Sequence, residues 1–329
     1  NLEFTSSSPL TVSGTNVVLP IGMLADGATP HHPNGNPLDV EEFADVNKLA
    51  SAVGENGIVL DARSMGDSSV WWSQTSEIIS TRLGINTAKQ TIPISSQVST
   101  TLGGITTDEH GRAISGKWSR WFTGLYAAGD AACSGVHGAG MVAGNRLLDA
   151  MASSAAAGMH AANYAAGVNF SGRTALETYL GVAEADLDFD MAGAEEGPVQ
   201  RAGPLFAKLT QIMNTHLGKE RDGAGIDTAI GQLTELQSAA DKLHIDDNSR
   251  LFNSNLVEAL RLKAGIRLAI ATAQSAKSRT ESRGTHQRSD FEETDIEQMH
   301  HTLVNKEGEI SSLALRKGRS GTWILPPEV

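Results

Sequence analysis

Residues 124–132 read Gly-Leu-Tyr-Ala-Ala-Gly-Asp-Ala-Ala, followed by Gly-Val-His-Gly-Ala-Gly at 135–140 and Gly-Asn-Arg-Leu-Leu at 144–148. The apolar run before Gly129 predicts a short buried strand, with the carboxyl group of Asp130 at its carboxyl end. Glycines in the next loop let a backbone approach a ligand closely, and the Ala-rich sequence beyond it predicts a helix. This succession is typical of a cradle for a flat cofactor.

The chemistry of this stretch favours a flavin. The carboxylate of Asp130 can accept hydrogen bonds from sugar or ribityl hydroxyls. A helix amino terminus presents free N–H groups with positive dipole character, which suits the anionic edge that a flavin acquires on reduction. An alternative remains open at this point: an ordinary strand, turn and helix in which the glycines only permit packing.

Composition excludes several classes of function. The 329 residues predict roughly two folding units, and a net charge of −12 argues against a nucleic-acid partner. Cys133 is the only cysteine, so this chain by itself forms no disulfide and no cysteine-ligated zinc or iron–sulfur site. The sequence contains no apolar run near the roughly 18 residues of a membrane span and no signal core at its start.

Turn-rich segments such as Thr29–Pro37 alternate with short apolar runs up to about residue 98, which predicts short strands and loops. Residues 104–112 predict a hairpin. A Gly-x-Gly-x-x-Gly after a strand near the start, the usual dinucleotide signature, is missing from the sequence.

Beyond about residue 170 the apolar residues repeat with a helical period, which predicts three amphipathic helices in a bundle. Asn255, with Glu258 three residues on, is the predicted cap of the third helix. After Glu281 the sequence is charged, and the prolines of Gly321–Pro327 stop any helix. The three apolar stripes are Leu205, Leu209, Ile212 and His216; Ile226, Ile230, Leu233, Leu236, Ala240 and Leu243; and Leu256, Leu260, Ala264 and Leu268.

Three motifs, in order, resemble those of the flavoprotein subunits of succinate dehydrogenase and fumarate reductase, with L-aspartate oxidase as a cousin. Residues 102–108 are similar to the family's Met-Gly-Gly-Ile-x-Thr-Asp. Residues 124–148 resemble its Gly-Leu-Tyr-Ala-Ala-Gly-Glu, Val-His-Gly-Ala-Asn-Arg-Leu and Gly-Asn-Ser-Leu. Residues 279–290 are similar to its Arg-x-Glu-Ser-Arg-Gly-Ala-His-x-Arg-x-Asp, and His-Thr-Leu at 301–303 follows as in the family.

The resemblance covers about residues 95–305 and implies an α+β chain with FAD as cofactor. It implies a reduced capping domain at 1–98 and the second part of an FAD-binding domain at 99–168. A helical bundle domain at 169–289 and a C-terminal segment at 290–329 would follow.

Carried over residue by residue, the family's acidic ribityl contact falls on Asp130, and its Ser-Leu pair near the flavin falls on Arg146 and Leu147. Arg146 departs from the family because a bulky cation replaces a small hydroxyl. The expected cofactor-binding residues are Gly129, Asp130, His137, Gly138, Asn145, Arg146 and Leu147.

Residues 1–9 resemble the start of the family's capping domain, so we expect the chain to begin at a domain boundary. A second polypeptide would supply the Rossmann half and the histidine that tethers FAD in many relatives, or the chain is a fragment. The expected partners are that Rossmann-half chain and an iron–sulfur protein. The expected location is cytoplasmic, or peripheral on the cytoplasmic or matrix face of an energy-transducing membrane.

The family's substrate residues are replaced. Dehydrogenating a dicarboxylate requires cations or donors around both carboxylates and a group that transfers a proton. We therefore predict that succinate and fumarate are not recognised, with Arg63 or Arg82 left open as compensating cations. The matching positions are Ser8, Pro20, the region around Val46, Ser99 and Met141, and none of them is cationic.

Other candidate residues each have two interpretations. For His31 and His32 a surface loop is favoured over metal ligation, and no metal site is predicted. His137 has a structural or flavin-contact role rather than a catalytic one. Residues Arg283, His286 and Arg288 form either packing and ion-pair contacts or part of the active-site cleft. Core or interface anchoring is favoured over base stacking for Trp71, Trp72, Trp118 and Trp121.

Three hypotheses follow for function. The first is one half of an FAD-dependent enzyme with an unidentified substrate and a redox partner. The second is an inactive subunit that braces a respiratory-type complex. The third is a soluble oxidase akin to aspartate oxidase, which is disfavoured because that chemistry also needs carboxylate-binding cations.

Overall fold

The computed structural model describes residues 2–15, 17–38, 53, 57–115, 120–138, 144–169, 172–186, 200–247, 249 and 251–314. Internal contacts divide the chain into two units, one of which is Thr5–Thr100. The described residues before Thr5 and from Thr101 onward form the other unit. Helices and strands occur in both, so the α+β class is confirmed, whereas the boundaries at 98, 168 and 289 stay predictions.

The first unit is built on a four-stranded sheet of order β1-β4-β3-β2. Its strands are β1 (Thr5–Val12), β2 (Thr29–His31), β3 (Val59–Asp61) and β4 (Ile92–Thr101). Helix α1 is Gly22–Ala25, a 3-10 segment is Arg63–Trp72, and α2 is Ser73–Leu83. Gly84 ends α2 in the left-handed conformation, at φ 69°, which glycine adopts without strain.

Burial in the first unit follows the short apolar runs of the sequence. Leu10, Leu60, Ile79 and Ile92 are all buried and belong to one hydrophobic cluster. Trp72 packs against this cluster and donates its indole N–H to Asp26 Oδ2 at 2.8 Å. Trp71, in contrast, is 82% exposed, so of its two predicted roles the core role is wrong and interface anchoring stays a prediction. Trp118 and Val46 lie outside the described residues.

Four short strands open the second unit. They are β5 (Ile105–Thr106), β6 (Arg112–Ser115), β7 (Arg120–Tyr126) and β8 (Ala132–Cys133). Strands β6 and β7 are antiparallel, while β5 pairs with β8 in parallel.

The predicted hairpin is confirmed, because Asp108 N donates to Arg112 O at 3.1 Å and Thr107 bridges Ala113 in antiparallel fashion. The predicted burial of the strand before Gly129 is wrong for Leu125, which is exposed. Ala127 is buried.

The Ala-rich sequence forms the expected helix, α3 (Asn145–Ala166), and α4 (Arg173–Asp186) follows it. The predicted bundle is confirmed as α5 (Ala202–His216), α6 (Gly223–Ala240) and α7 (Ser254–Ser278), which pack on one another. The first two predicted stripes supply core residues such as Leu209 and Leu233.

The third stripe is confirmed for Leu256 and Leu260, which pack against the bundle core, and is wrong for Leu268. The face of α7 that points into the bundle carries Ala259, Leu262, Ile266 and Ala269, whereas Leu268 is exposed. Because α7 has apolar residues on more than one face, the sequence period alone does not identify the face that packs.

The predicted cap of α7 is wrong by two residues. The side chain of Asn253 accepts from Leu256 N at 2.8 Å and donates to the carbonyl groups of Asp247 and Ser249, so Asn253 and not Asn255 is the cap.

The remaining strands are two short pairs. Strand β9 (Glu220–Arg221) pairs in parallel with β10 (Gln287–Arg288), and β11 (His300–Val304) pairs antiparallel with β12 (Ile310–Ala314). A 3-10 turn, Ile296–Gln298, precedes β11. The predicted stop at Gly321–Pro327 lies outside the described residues.

Candidate functional site

Two of the sequence motifs meet through the parallel pairing of β5 with β8. Ile105 lies opposite Ala132 and Thr106 opposite Cys133. A Cβ on Gly104 would lie 2.5 Å from the carbonyl oxygen of Ala131, so only glycine permits this approach of two backbones. The Gly-Gly of one motif therefore lies directly beside the turn that carries Asp130.

Asp130 stands on a 3-10 turn, Gly129–Ala131, and is paired with Arg146 in the first turn of α3. Arg146 Nε donates to one carboxylate oxygen at 2.6 Å, and Nη2 donates to the other at 2.5 Å. These hydrogen bonds hold the pKa of Asp130 below its ordinary value and raise the pKa of Arg146. The predicted ribityl acceptor is thus present, and it is charge-paired within the chain.

Four of the predicted cofactor residues, Gly129, Asp130, His137 and Arg146, line one small cavity of about 40 Å³. The ring Nε2 of His137 lies 3.4 Å from Asp149 Oδ2. That contact agrees with the structural or flavin-contact interpretation of His137.

The other predicted residues do not line this cavity. Asn145 and Leu147 lie in the first turn of α3, with Leu147 70% exposed, and Gly138 lies in the loop before the helix.

Ser8 is in β1 and Ser99 is in the neighbouring strand β4. Met141, with the loop residues 139–143, lies outside the described residues. The candidate cation Arg63 is paired with Asp61, Nη2 to Oδ2 at 2.7 Å.

A larger cavity of about 560 Å³ adjoins the first and shares Gly103, Asp130 and Cys133 with it. Volumes of 300–1,000 Å³ are usual for ligand and cofactor pockets, as a rough guide. Its far wall comes from the bundle side of the unit and was not predicted from the sequence. That wall consists of Leu268, Ala271 and Ser275 of α7 and of His301, Thr302, Leu303, Val304 and Asn305 from β11 onward.

Leu268, which the third stripe assigned to the bundle core, lies in this wall. Leu268, Ala271 and Ser275 recur at three and four positions, so they share one helix face. That face borders the cavity, while the opposite face packs in the bundle. The sequence signal for this face is the apolar period that includes Leu268, but the same period also predicts a core position.

Ser275 supplies the most specific observation in the cavity wall. The residue is 1% exposed, and its hydroxyl Oγ has no hydrogen-bond partner within the described part of the chain. Buried hydroxyls are normally satisfied, and an orphaned one is costly. The cavity beside this hydroxyl is lined by both apolar and polar residues, which suits a flat ring system such as isoalloxazine.

The glycines of the loop have a different role from the one expected. A Cβ on Gly135 would lie 2.9 Å from the ring of His301, and one on Gly129 would lie 3.2 Å from Ala150 Cβ. The chain's own atoms therefore occupy the space beside these glycines. The packing interpretation holds for Gly129 and Gly135.

The third sequence motif forms a buried ionic network. Arg279 donates to Glu3 and to Glu281, both at 2.8 Å, and Arg283 donates to Glu281 at 2.9 Å. Arg288 pairs with Asp290 at 2.7 Å. These contacts support the ion-pair interpretation of the motif, since none of its charged residues lines either cavity.

The neutral form of His286 is built into this network. Arg221 Nη1, which can only donate, lies 3.1 Å from His286 Nδ1, and His286 Nε2 lies 3.2 Å from the carbonyl oxygen of Arg279. Nδ1 therefore accepts and Nε2–H donates. Burial, with Arg221 nearby, lowers the pKa of His286 to about 4.

Among the described residues, neither a metal site nor a membrane-spanning helix is found. No group of three or more His, Cys, Asp or Glu side chains is placed there to hold a metal, and His31 contacts Thr29 and Gly35 instead. None of the described helices combines the length and apolarity that crossing a membrane requires.

Two family models match the chain. Residues 58–147 match a model described as FAD binding domain, and residues 206–327 match one described as fumarate reductase flavoprotein C-term. The first includes Gly103, Asp130 and Arg146, and the second includes most of the bundle and every residue of the buried ionic network except Glu3.

The curated relatives are flavoprotein subunits of fumarate reductase or succinate dehydrogenase. The fumarate reductase flavoprotein subunit of Mycobacterium tuberculosis is 31% identical over 229 residues, covering 68% of this chain and 38% of the relative. The succinate dehydrogenase flavoprotein subunit of Coxiella burnetii is 32% identical over 256 residues, covering 74% and 42%. The chain thus spans about two fifths of the length of these relatives.

Solved structures share the fold. A chain of the quinol fumarate reductase of E. coli superposes with a TM-score of 0.84 at 22% identity, covering 100% of this chain and 60% of that one. A chain of the Sdh1 complex of Mycobacterium smegmatis superposes with a TM-score of 0.70 at 22% identity, covering 95% of this chain and 54% of that one.

Proposed function

Because the chain belongs to the succinate dehydrogenase and fumarate reductase flavoprotein family and carries its FAD-binding region, we propose that it forms the flavin-ring part of an FAD-dependent oxidoreductase. The observation that supports the proposal is the cavity of about 560 Å³ beside Asp130, with the unsatisfied hydroxyl of Ser275 on its far wall. Bound FAD would supply two-electron chemistry by accepting or giving a hydride.

The residues that would hold FAD are those in which the motif and the cavity coincide. Asp130 keeps lone pairs for a ribityl hydroxyl in spite of its two bonds to Arg146. The cap position of α3 is Gly144, which has no side chain to satisfy the first-turn N–H groups. Those groups present donors and positive dipole character to an anionic flavin edge. Ser275 would donate from the opposite wall.

A separate Rossmann-half chain is the proposed first partner. The amino-terminal part of α3 exposes Leu147, Leu148 and Met151, each to 65% or more, and β7 exposes Phe122 and Leu125. Such a density of exposed large apolar side chains on neighbouring elements marks a surface that a protein covers. The matched relatives are more than twice as long as the aligned region, which agrees with a further half that supplies the adenine end of the site.

An iron–sulfur protein is the proposed second partner, because the single cysteine of this chain cannot ligate a cluster. Electrons from the flavin would have to leave through such a subunit. This assembly would place the chain in the cytoplasm or at the cytoplasmic or matrix face of an energy-transducing membrane.

We propose that dicarboxylates are not the substrate. The positions that carry His, His and Arg in the family are Ser8, Ser99 and Met141 here, and neutral side chains cannot form the charge-assisted hydrogen bonds that carboxylates need. Arg63 compensates poorly, since Asp61 already occupies its guanidinium. The same replacements favour one alternative, an inactive subunit that keeps the fold and braces a complex.

One experiment separates these functions. The chain is coexpressed with the polypeptide that supplies the rest of the FAD site, and the absorption spectrum of the purified complex is recorded. Succinate and a dye acceptor are then added, with the E. coli quinol fumarate reductase as a positive control. Bound flavin without a response to succinate is the expected result. Dye reduction would contradict the degenerate site, and a complex without flavin would favour the structural alternative.

A further inference from the structure

The pair formed by Asp130 and Arg146 is the main charged feature of the proposed flavin site. Both side chains line the small cavity, and Asp130 also lines the large one. The side chains are 63% and 41% exposed, so a ligand in the cavities can reach them. The bidentate geometry, 2.6 and 2.5 Å, makes the pair neutral overall.

The other charges at this wall are fixed by their own contacts. His137 faces Asp149 at 3.4 Å and lines the same small cavity. Replacing Arg146 or Asp130 by a neutral residue changes the charge beside the flavin by one unit. A unit charge a few ångströms from a ligand in a partly enclosed site alters its energy substantially.

A flavin differs in charge between its oxidised and reduced forms, because reduction leaves negative charge on the pyrimidine edge. An unpaired carboxylate beside that edge disfavours the reduced form, and an unpaired guanidinium favours it. The resemblance places a small hydroxyl at the position of Arg146, and a hydroxyl carries no charge to balance the acidic residue.

We propose that Arg146 sets the reduction potential of the bound flavin by cancelling the charge of Asp130. The inference rests on the proposed FAD site. Arg146 is a positioning and charge-balancing residue in this role, and its partner Asp130 acts in the opposite direction on the same equilibrium.

The test uses the complex with bound FAD and measures the midpoint potential by titration against reference dyes. Arg146→Ser should lower the preference for reduced over oxidised flavin by about tenfold, which for a two-electron couple is a midpoint about 30 mV lower. Asp130→Asn should shift the midpoint upward by a similar amount. The double variant should return close to the parent value, and Arg146→Lys, which keeps the charge, should remain near it.

A matched control comes from the pair Arg201 and Asp246, which is also bidentate, with both contacts at 3.1 Å, and lines neither cavity. Arg201→Ser and Asp246→Asn should leave the potential unchanged. Thermal melts followed by circular dichroism check that every variant is folded.

The outcomes separate this inference from the proposed function. Equal potentials in the parent, Arg146→Ser and Arg146→Lys proteins, all with FAD bound, would overturn the inference and leave the FAD site standing. Loss of FAD from Arg146→Ser would also overturn it, because Arg146 would then be a binding residue. A parent complex without FAD would overturn both.

Discussion

Arg279 and Glu3 lie 276 positions apart in the chain and form a buried ion pair, with Nε 2.8 Å from Oε1. Their side chains are 1% and 0% exposed. Arg279 also donates to Glu281, to the carbonyl oxygens of Gln298 and His300 and to Thr302. One guanidinium thus joins the first residues of the chain to α7 and β11.

Replacing Arg279 by Met should destabilise the second unit by about 3–5 kcal/mol, because the buried carboxylate of Glu3 loses its guanidinium partner and Glu281 keeps only Arg283. Urea unfolding followed by circular dichroism measures the change. The matched control is Arg201→Ser, which breaks an exposed pair and should cost less than about 1 kcal/mol. Equal losses in the two variants would show that burial of the Arg279 pair is not what stabilises the unit.

Stability should fall as the pH drops from about 6.5 toward 4. The folded pKa of His286 is about 4 against an ordinary 6.5, so the unfolded state binds more protons in this window. The contribution of His286 is complete above the unfolded pKa and is lost as the pH falls through the folded one, roughly 3 kcal/mol in all.

Protonation of Glu281 should also lower the stability of the folded state, but at lower pH. Burial alone would raise its pKa, but hydrogen bonds from Arg283, Asp295 N and Arg279 outweigh burial and lower it. Urea midpoints measured between pH 8 and 4 test His286, and midpoints continued below pH 4 test Glu281, whose ordinary pKa of 4.5 is lowered in the folded state. Burial also lowers the pKa of His301 to about 4, so His286→Asn should reduce the slope between pH 6.5 and 4 without abolishing it, and an unchanged slope would contradict the contribution of His286 to that window.

Gly104→Ala should weaken both the fold and FAD retention. The added Cβ would lie 2.5 Å from the carbonyl oxygen of Ala131, so β5 and β8 must separate at the point where Asp130 is held. A loss of about 2 kcal/mol or more is expected for such overpacking against backbone. Gly231→Ala in α6, where a Cβ meets nothing within 4 Å, should instead stabilise by about 0.5–1 kcal/mol. The thermal melts and the bound flavin per chain report both effects.

Ser275→Ala tests the far wall of the cavity. Without FAD the variant should be as stable as the parent or slightly more so, because the hydroxyl has no partner among the described residues. With FAD, the loss of one neutral hydrogen bond should raise the Kd by roughly three- to tenfold. Ser238→Ala, on the exposed face of α6, should change neither property. Unaltered FAD affinity in Ser275→Ala would place the flavin elsewhere.

Asn253→Ala should destabilise α7 by about 1–2 kcal/mol, because the side chain caps Leu256 N and bonds two loop carbonyls. Asn255 is the second residue of the helix. Asn255→Ala should therefore leave stability unchanged or raise it slightly. The ordering of the two variants in a thermal melt decides which asparagine is the cap.

Local sequence accounts for the parts of the site that are contiguous. Patterns within about 20 residues predict three of these parts, since helix period and turn chemistry act over short spans. They are the turn at Asp130, the helix that starts at Asn145, and the two helices with apolar stripes at Leu209 and Leu233. The resemblance placed Asp130 and Arg146 in one site, and the structure brings them into contact.

The amino-acid sequence by itself determined the Ala-rich helix, the three bundle helices, the flavin-type motif and the neutral residue types at Ser8, Ser99 and Met141, but neither α2 nor α4. Only the tertiary structure decided that Gly129 and Gly135 pack against the chain itself, that Arg146 pairs with Asp130, that Ser275 lines a cavity, and that Glu3 is buried against Arg279. The physical reason is sequence distance. A helix period identifies apolar faces but not their partners, and contacts between residues far apart exist only after the chain has closed the loops between them.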